Sequence, residues 1–291
     1  MRRFQLHPAL LIIAAVSIGV SGLPPQKIVD GLPTNRDEFP YQVSLQRLDS
    51  KHFCGGSIIS KLHILTSAYC VQEFQNLTNN LLVVSGSNDL RLAPNKYKVK
   101  SVTFPSEYVH NSTVYDIAVL TLKDQILFHH NQKPIKLATR DNYRGKEAFV
   151  SGWGTVKKNR RNPHYPDTLQ KLKTWIFSHE DCGVADTQIC TLEKLDIGVC
   201  DGDGGSPLVI GDELFGVLAG IPDECAVGKH TPYTKVSSYF DYIKNIVGNA
   251  IEENPDYYFK STYNDVVLPY DLEHEKCDIS HEFVGSDNLL F

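Results

Sequence analysis

The sequence predicts an all-β fold closed by a single C-terminal helix. Between Val43 and Tyr233, short apolar runs are broken every few residues by Gly, Pro, Asn or Asp. That spacing is the mark of many short strands joined by turns, as in a barrel or a sandwich. Near the end the period changes. Tyr239, Phe240, Ile243, Ile246, Val247 and Ala250 recur at helical spacing, with Ser237 or Ser238 placed to cap the start and Gly248 to weaken the far end. The chain of 291 residues suffices for one large all-β domain or two ordinary ones.

Among the strands, Leu81-Leu82-Val83-Val84 runs into Ser85-Gly86-Ser87-Asn88, and Ile117-Ala118-Val119-Leu120 forms a continuous apolar run. Such runs are expected where both faces of a strand are covered. Ahead of them, Arg2 and Arg3 precede an apolar stretch from Ala9 to Val20, and Val20-Ser21-Gly22 offers small residues for cleavage. Residues 1–22 therefore read as a signal peptide, too short to span a bilayer comfortably. No later stretch is apolar enough to span, so a secreted, extracellular protein with no membrane segment is expected. The net charge of -5 argues against a nucleic-acid footprint, which would need a basic face.

Seven cysteines in a secreted chain suggest a disulfide framework with one thiol left over. The sequons at Asn76 and Asn111 fit the same compartment and mark both as N-glycosylation candidates. Past Asn249 the composition shifts. Residues 249–291 carry ten acids against Lys260 and Lys276, with Tyr257, Tyr258, Tyr263 and Tyr270 among them. This extension is either a solvated tail or a docking segment in which acids steer and tyrosines anchor. No spacing suggests a metal site, and no motif suggests a cofactor.

Seven segments fall in one recognisable order. They are Lys27-Ile28-Val29-Asp30-Gly31, Phe53-Cys54-Gly55-Gly56-Ser57, Leu65-Thr66-Ser67-Ala68-Tyr69-Cys70, Asp116-Ile117-Ala118-Val119-Leu120, Gly152-Trp153-Gly154, Cys200-Asp201-Gly202-Asp203-Gly204-Gly205-Ser206-Pro207 and Tyr233-Thr234-Lys235-Val236. Together they resemble the chymotrypsin/trypsin family of serine proteases over residues 28–248, after a short propeptide at 23–27. The resemblance implies two packed six-stranded antiparallel β-barrels with a C-terminal helix and a cleft between the barrels. It also implies the bridges Cys54–Cys70, Cys182–Cys190 and Cys200–Cys225. Cys277 is then unpaired. It can bridge two chains, bond a small thiol or stay free, and a disulfide-linked dimer is the favoured outcome.

The chemistry of that family needs a Ser hydroxyl to attack the carbonyl, a His to take its proton and a buried Asp to hold the His. Here the base position reads Tyr69 and the nucleophile position Gly204; only Asp116 remains. A phenol titrates near 10 and is a poor base at neutral pH. Glycine cannot form an acyl-enzyme. In a related protease, losing such a unit costs about 10⁶ in turnover, or roughly 8–9 kcal/mol. A hydroxyl at Ser206, two residues along, would be displaced by several ångströms, whereas attack needs atoms about 3 Å apart.

The pocket positions also depart from the trypsin pattern. Gly198 stands where trypsins carry Asp, so no carboxylate is expected to meet a Lys or Arg side chain. Leu218-Ala219-Gly220 replaces Ser-Trp-Gly, and Thr231 replaces a glycine of the pocket wall. By resemblance, Gly202 contributes the oxyanion-hole backbone, Lys27-Ile28 is the activation bond, and Asp203 receives the freed amino group. Asp116 is expected to be structural. The whole pattern is similar to the non-catalytic serine protease homologues of arthropod body fluids. Those act as cofactors, decoys or regulators of proteolytic cascades, so the expected partners are extracellular proteins: proteases, their substrates or their inhibitors. A weakly active trypsin-like endopeptidase and a pathogen- or surface-recognition protein are the competing readings.

Overall fold

The computed structural model describes residues 31–92, 95–156, 164–219 and 225–251. The strands, in chain order, are β1 (Leu32–Pro33), β2 (Gln42–Arg47), β3 (His52–Ile58), β4 (His63–Thr66), β5 (Leu81–Ser85), β6 (Asn95–Thr103), β7 (Ala118–Leu122), β8 (Lys136–Leu137), β9 (Glu147–Gly152), β10 (Gln170–Phe177), β11 (Gln188–Leu192), β12 (Pro207–Ile210), β13 (Glu213–Leu218) and β14 (His230–Lys235). Three helices accompany them: α1 (Ala68–Val71), α2 (His179–Cys182) and α3 (Phe240–Val247).

Strands β2, β3, β4, β7, β6 and β5 close into one barrel. Its interior is aliphatic, built from Val43, Leu45, Ile64, Leu81, Val83 and Leu120, each fully buried. In β7 four of five residues are buried, as the continuous apolar run at 117–120 requires. The second sheet runs β10-β11-β14-β13-β12-β9 and closes where β9 pairs with β10, Gly152 opposite Gln170 and Val150 opposite Leu172. Val150, Ile176, Ile189, Leu208 and Tyr233 fill it. The chain is thus two six-stranded barrels, as the motif order implies. The pairing is antiparallel throughout both closures. The exception is an added strand, β8, which runs parallel to β13.

The barrels are stitched by polar contacts. Gly55 N–H donates to the Gly204 carbonyl at 2.8 Å, and Ser151 Oγ donates to Gln42 Oε1 at 2.7 Å. Trp153 Nε1 of the second barrel donates to the Asn88 carbonyl at 3.2 Å. The predicted helix forms, burying Tyr239 just ahead of it and Ile243 and Val247 within it, so the stripe at i, i+4 and i+8 faces the body. The predicted serine caps do not form. A 3₁₀ turn over Val236–Tyr239 leads into α3, neither helix start has a side-chain cap, and Ser237 Oγ donates to Asp141 Oδ1 at 2.5 Å instead. Gly248 ends α3 with φ of 63°, a conformation that favours glycine.

The bridges Cys54–Cys70, Cys182–Cys190 and Cys200–Cys225 are all formed. The signal peptide, the propeptide, Lys27, Ile28, Gly220, Cys277 and the acidic extension from residue 252 lie outside the described residues. No helix among the described residues is long and apolar enough to cross a membrane.

Candidate functional site

A cleft of about 680 Å³ brings together Tyr69, Ser67, Gly202, Gly204, Leu218 and Ala219. The first two come from the first barrel, the others from the second. Strand β4 delivers the chain to Ser67, whose extended backbone precedes the short helix α1. Tyr69 sits on α1 with 53% of its surface exposed, and its neighbour Cys70 is pinned to β3 through Cys54.

Asp116 lies behind this helix, fully buried two residues ahead of β7. Its Oδ1 accepts from the Tyr69 amide at 2.7 Å, and its two oxygens lie 2.7 and 2.8 Å from the Ser67 hydroxyl. Its backbone carbonyl accepts from Thr234 Oγ1 at 2.8 Å, tying β7 to the second barrel. Burial lifts the Asp116 carboxyl to about 7, and the Tyr69 amide, the Ser67 hydroxyl and the Ala68 amide oppose that rise. Nearby, burial and then the Asp116 charge push Tyr108 up to about 12.

Gly204 faces the same cleft. A Cβ built on it would lie 3.2 Å from Cys70 Sγ and 3.4 Å from Cys54 Sγ, so the disulfide forms the wall behind this position. Ser206 is fully buried, and its hydroxyl fills space left by the missing side chains of Gly55 and Gly152. It faces the interface between the barrels and is not among the residues lining the cleft.

The loop carrying Gly202 and Gly204 is held from beneath. Asp203, 1% exposed, accepts from the Gly154 amide at 2.7 Å and from the Cys200 amide at 2.9 Å. A Cβ on either Gly152 or Gly154 would overlap its carboxylate, which is the physical reason for the two glycines around Trp153. Burial raises the Asp203 carboxyl to about 7; the Cys200 and Gly154 amides oppose this, while Glu193 and Asp201 add to it. Gly202 adopts φ of 98°, and its carbonyl accepts from His52 Nε2 at 3.0 Å. Because that carbonyl can only accept, the His52 proton sits on Nε2. Its Nδ1 then accepts from the Ser44 hydroxyl at 2.8 Å. Burial drives His52 down to about 4. His52 was not singled out in the sequence; a polar residue beside the Cys54 motif at the start of a strand was the available signal.

Gly198 is buried in the second barrel and is not among the residues lining the cleft. The carboxylate of Glu193 occupies the space over Gly198 that a Cβ would need. Glu193 is 6% exposed, and its Oε1 accepts from the Val199 amide at 2.9 Å. A carboxylate thus lies against Gly198, supplied from the residue that follows β11. Thr231, fully buried on β14, lies opposite Thr191 in that sheet. The sequon residue Asn111 is exposed and lines the cleft with Ser112 and Thr113, whereas Asn76 is exposed away from it.

The family profile described as Trypsin matches residues 28–243. Chymotrypsin-2 of Vespa crabro is 34% identical over 224 residues, covering 75% of this chain and 98% of that protein. Trypsin epsilon of Drosophila erecta is 33% identical over 224 residues, covering 72% and 85%. Among solved structures, neuropsin, a serine protease expressed in the limbic system of mouse brain, superposes with a TM-score of 0.68 at 25% identity, covering 75% of this chain and 99% of that one. With seven motifs in order, two closed barrels and this cleft between them, the chain belongs to the trypsin family of serine proteases.

Proposed function

We propose that this trypsin-family chain acts by binding other extracellular proteins and does not hydrolyse peptide bonds. The observation that carries this is the pair of residues facing the cleft at the base and nucleophile positions. Tyr69 offers an exposed phenol on an otherwise buried helix, and Gly204 offers no side chain. Asp116, the one acid of the trio present, is fully engaged in holding Ser67 and the amide of Tyr69. The same surroundings support a structural task for it. The protein is secreted in this reading, with its partners drawn from a proteolytic cascade as proteases, substrates or inhibitors, for which it is a cofactor, decoy or regulator. Cleavage after Lys27 would free the amino group of Ile28 toward Asp203 and so set the cleft loops.

The competing reading is a weakly active endopeptidase, favoured by relatives named as trypsins and a chymotrypsin. A peptide-library cleavage assay on the chain cut after Lys27 separates the two. No cleavage above a Gly204→Ala control, together with capture of a defined protease or inhibitor from the native fluid, is expected. Turnover that survives purification and vanishes on Gly204→Ala would overturn the proposal.

A further inference from the structure

The sequon at 111–113 is built into the wall of the cleft. The Ser112 amide donates to the Val109 carbonyl at 2.9 Å, closing a turn in which Asn111 takes φ of 65°. Among residues with a side chain, Asn is one of the few that adopt this conformation readily. The loop is fastened on both sides. The Val114 amide donates to Ser112 Oγ at 3.0 Å, and Gln188 Nε2, at the start of β11, donates to the Thr113 carbonyl at 2.7 Å. None of these contacts uses the Asn111 side-chain amide, and the residue is exposed. Asn111, Ser112 and Thr113 line the same cleft as Tyr69, itself 53% exposed. Tyr108 neighbours both, since it lies against the Asn111 backbone and feels the charge of the Tyr69 phenol. The other sequon residue, Asn76, is exposed but is not among the residues lining the cleft.

We propose that Asn111 carries an N-linked oligosaccharide that roofs the cleft, barring folded proteins from Tyr69 while small molecules still enter. Asn-Ser-Thr is an acceptor for oligosaccharide transfer, and the product is bulky and solvated. The donor is an oligosaccharide on a lipid diphosphate. The bond from its anomeric carbon to the diphosphate oxygen breaks and a bond to Asn111 Nδ2 forms. The amide gives up one proton, and the lipid diphosphate leaves. The three disulfides form in an oxidising compartment of the kind where this transfer occurs. The anchoring makes the glycan a roof: it starts from a turn tied to β11, not from a loop free to swing away. The proposal concerns access to the cleft and holds whether or not the cleft hydrolyses peptides, so the two ideas can fail separately. Under the binding reading, a folded partner meets faces of the chain outside the cleft.

The test uses the full chain secreted from a eukaryotic host. Peptide mapping by mass spectrometry follows glycan removal by an amidase in heavy-oxygen water, which turns a glycosylated Asn into a labelled Asp. Labelling at Asn111 is expected. Access is then read at Tyr69 with two reagents. Tetranitromethane is small, whereas iodination by lactoperoxidase needs a folded enzyme to approach the ring. Thr113→Val removes the acceptor motif and leaves Asn111 in its turn. In that variant Tyr69 iodination should rise about tenfold, because a protein-sized reagent must dock, while nitration changes by less than about twofold. Thr78→Val, which clears the sequon at Asn76, should alter neither rate. Enzymatic removal of the glycan from the folded wild-type chain should give the same rise, which keeps the test open if Thr113→Val misfolds. An unmodified Asn111, equal Tyr69 iodination with and without the glycan, or a rise in nitration as large as that in iodination would each overturn the proposal.

Discussion

The Ser67 hydroxyl stands within hydrogen-bond reach of both carboxylate oxygens of Asp116, 2.7 Å from one and 2.8 Å from the other. The pair joins the turn before α1 to the start of β7, elements 49 residues apart in sequence. With the amide of Tyr69 on the same carboxylate, Asp116 becomes a clamp on the segment that presents Tyr69 to the cleft.

Ser67→Ala should therefore cost stability and not merely alter the cleft. Asp116 would keep its backbone donors but lose its hydroxyl partner in a site without water access. The expected loss is about 1–3 kcal/mol, the usual cost of leaving a buried polar group short of a partner. Denaturant titration of the variant measures it. A change below about 0.5 kcal/mol would show that the backbone amides alone satisfy Asp116.

Two buried carboxyls with raised pKa give the fold a defined dependence on pH. Asp116 and Asp203 both titrate at about 7 in the folded chain, against about 4 when unfolded. Between those values the folded state holds protons that the unfolded state has released. These groups therefore stabilise the fold below about pH 4 and lose that contribution as pH rises to about 7. His52 runs the other way. Its folded value of about 4 lies below its unfolded value, so its contribution is present above about 6.5 and is lost as pH falls toward 4. The variants separate the two trends. In the uncut chain, Asp203→Asn should remove part of the decline between pH 4 and 7, and His52→Gln should remove part of the rise. Chemical denaturation at several pH values reads both slopes. A slope unaltered by Asp203→Asn would mean that this carboxyl titrates normally.

The barrels and the placement of Tyr69 and Gly204 at the cleft were legible in the sequence for different reasons. The strands declared themselves through apolar runs such as Leu81–Val84, and the order of motifs fixed Tyr69 and Gly204 at the cleft. The helix was legible from Tyr239, Ile243 and Val247, but not its start, because Ser237 is drawn away by Asp141, 96 residues earlier. Glu193 escaped for a similar reason. It stands five residues before Gly198, and nothing in its local pattern says that its carboxylate turns back over that glycine. The return is set by the turn in which Lys194 bridges Ile197 and Asp196 takes φ of 68°. His52 and Gly202 likewise meet only across the two barrels, 150 residues apart.

The three bridges should differ in worth by the length of chain each closes. Cys200–Cys225 spans 25 residues, Cys54–Cys70 spans 16 and Cys182–Cys190 spans 8. On loop entropy alone, these closures stabilise by about 3.5, 3.1 and 2.5 kcal/mol. Removing both cysteines of each bridge in turn, and following unfolding by urea, should give that order. The differences are small, so a reversal would show that local packing outweighs chain entropy. At Cys54–Cys70 that packing includes Gly204, onto which both sulfurs back.

That same disulfide wall bears on whether the proposed absence of hydrolysis can be reversed. A Cβ at position 204 would meet the sulfurs at 3.2 and 3.4 Å, so Gly204→Ser fits after a shift of a few tenths of an ångström. Gly204→Ser alone lacks a base, and Tyr69→His alone lacks a nucleophile; neither single variant should cleave a peptide nitroanilide above background. The pair together supplies both, but Asp116 already accepts from Ser67 through both oxygens, which competes with orienting an imidazole. An unoriented or wrongly protonated imidazole costs about 10⁴ in turnover. Adding Ser67→Ala to the pair frees the carboxylate for the ring N–H. The triple variant should then exceed the double by tenfold or more, despite its lower stability. Nitroanilide release, normalised to the fraction labelled by a serine-directed phosphonate, measures this per competent site. If the double and triple variants turn over equally, the Ser67 hydroxyl does not compete for Asp116, and what limits turnover in them lies elsewhere in the cleft.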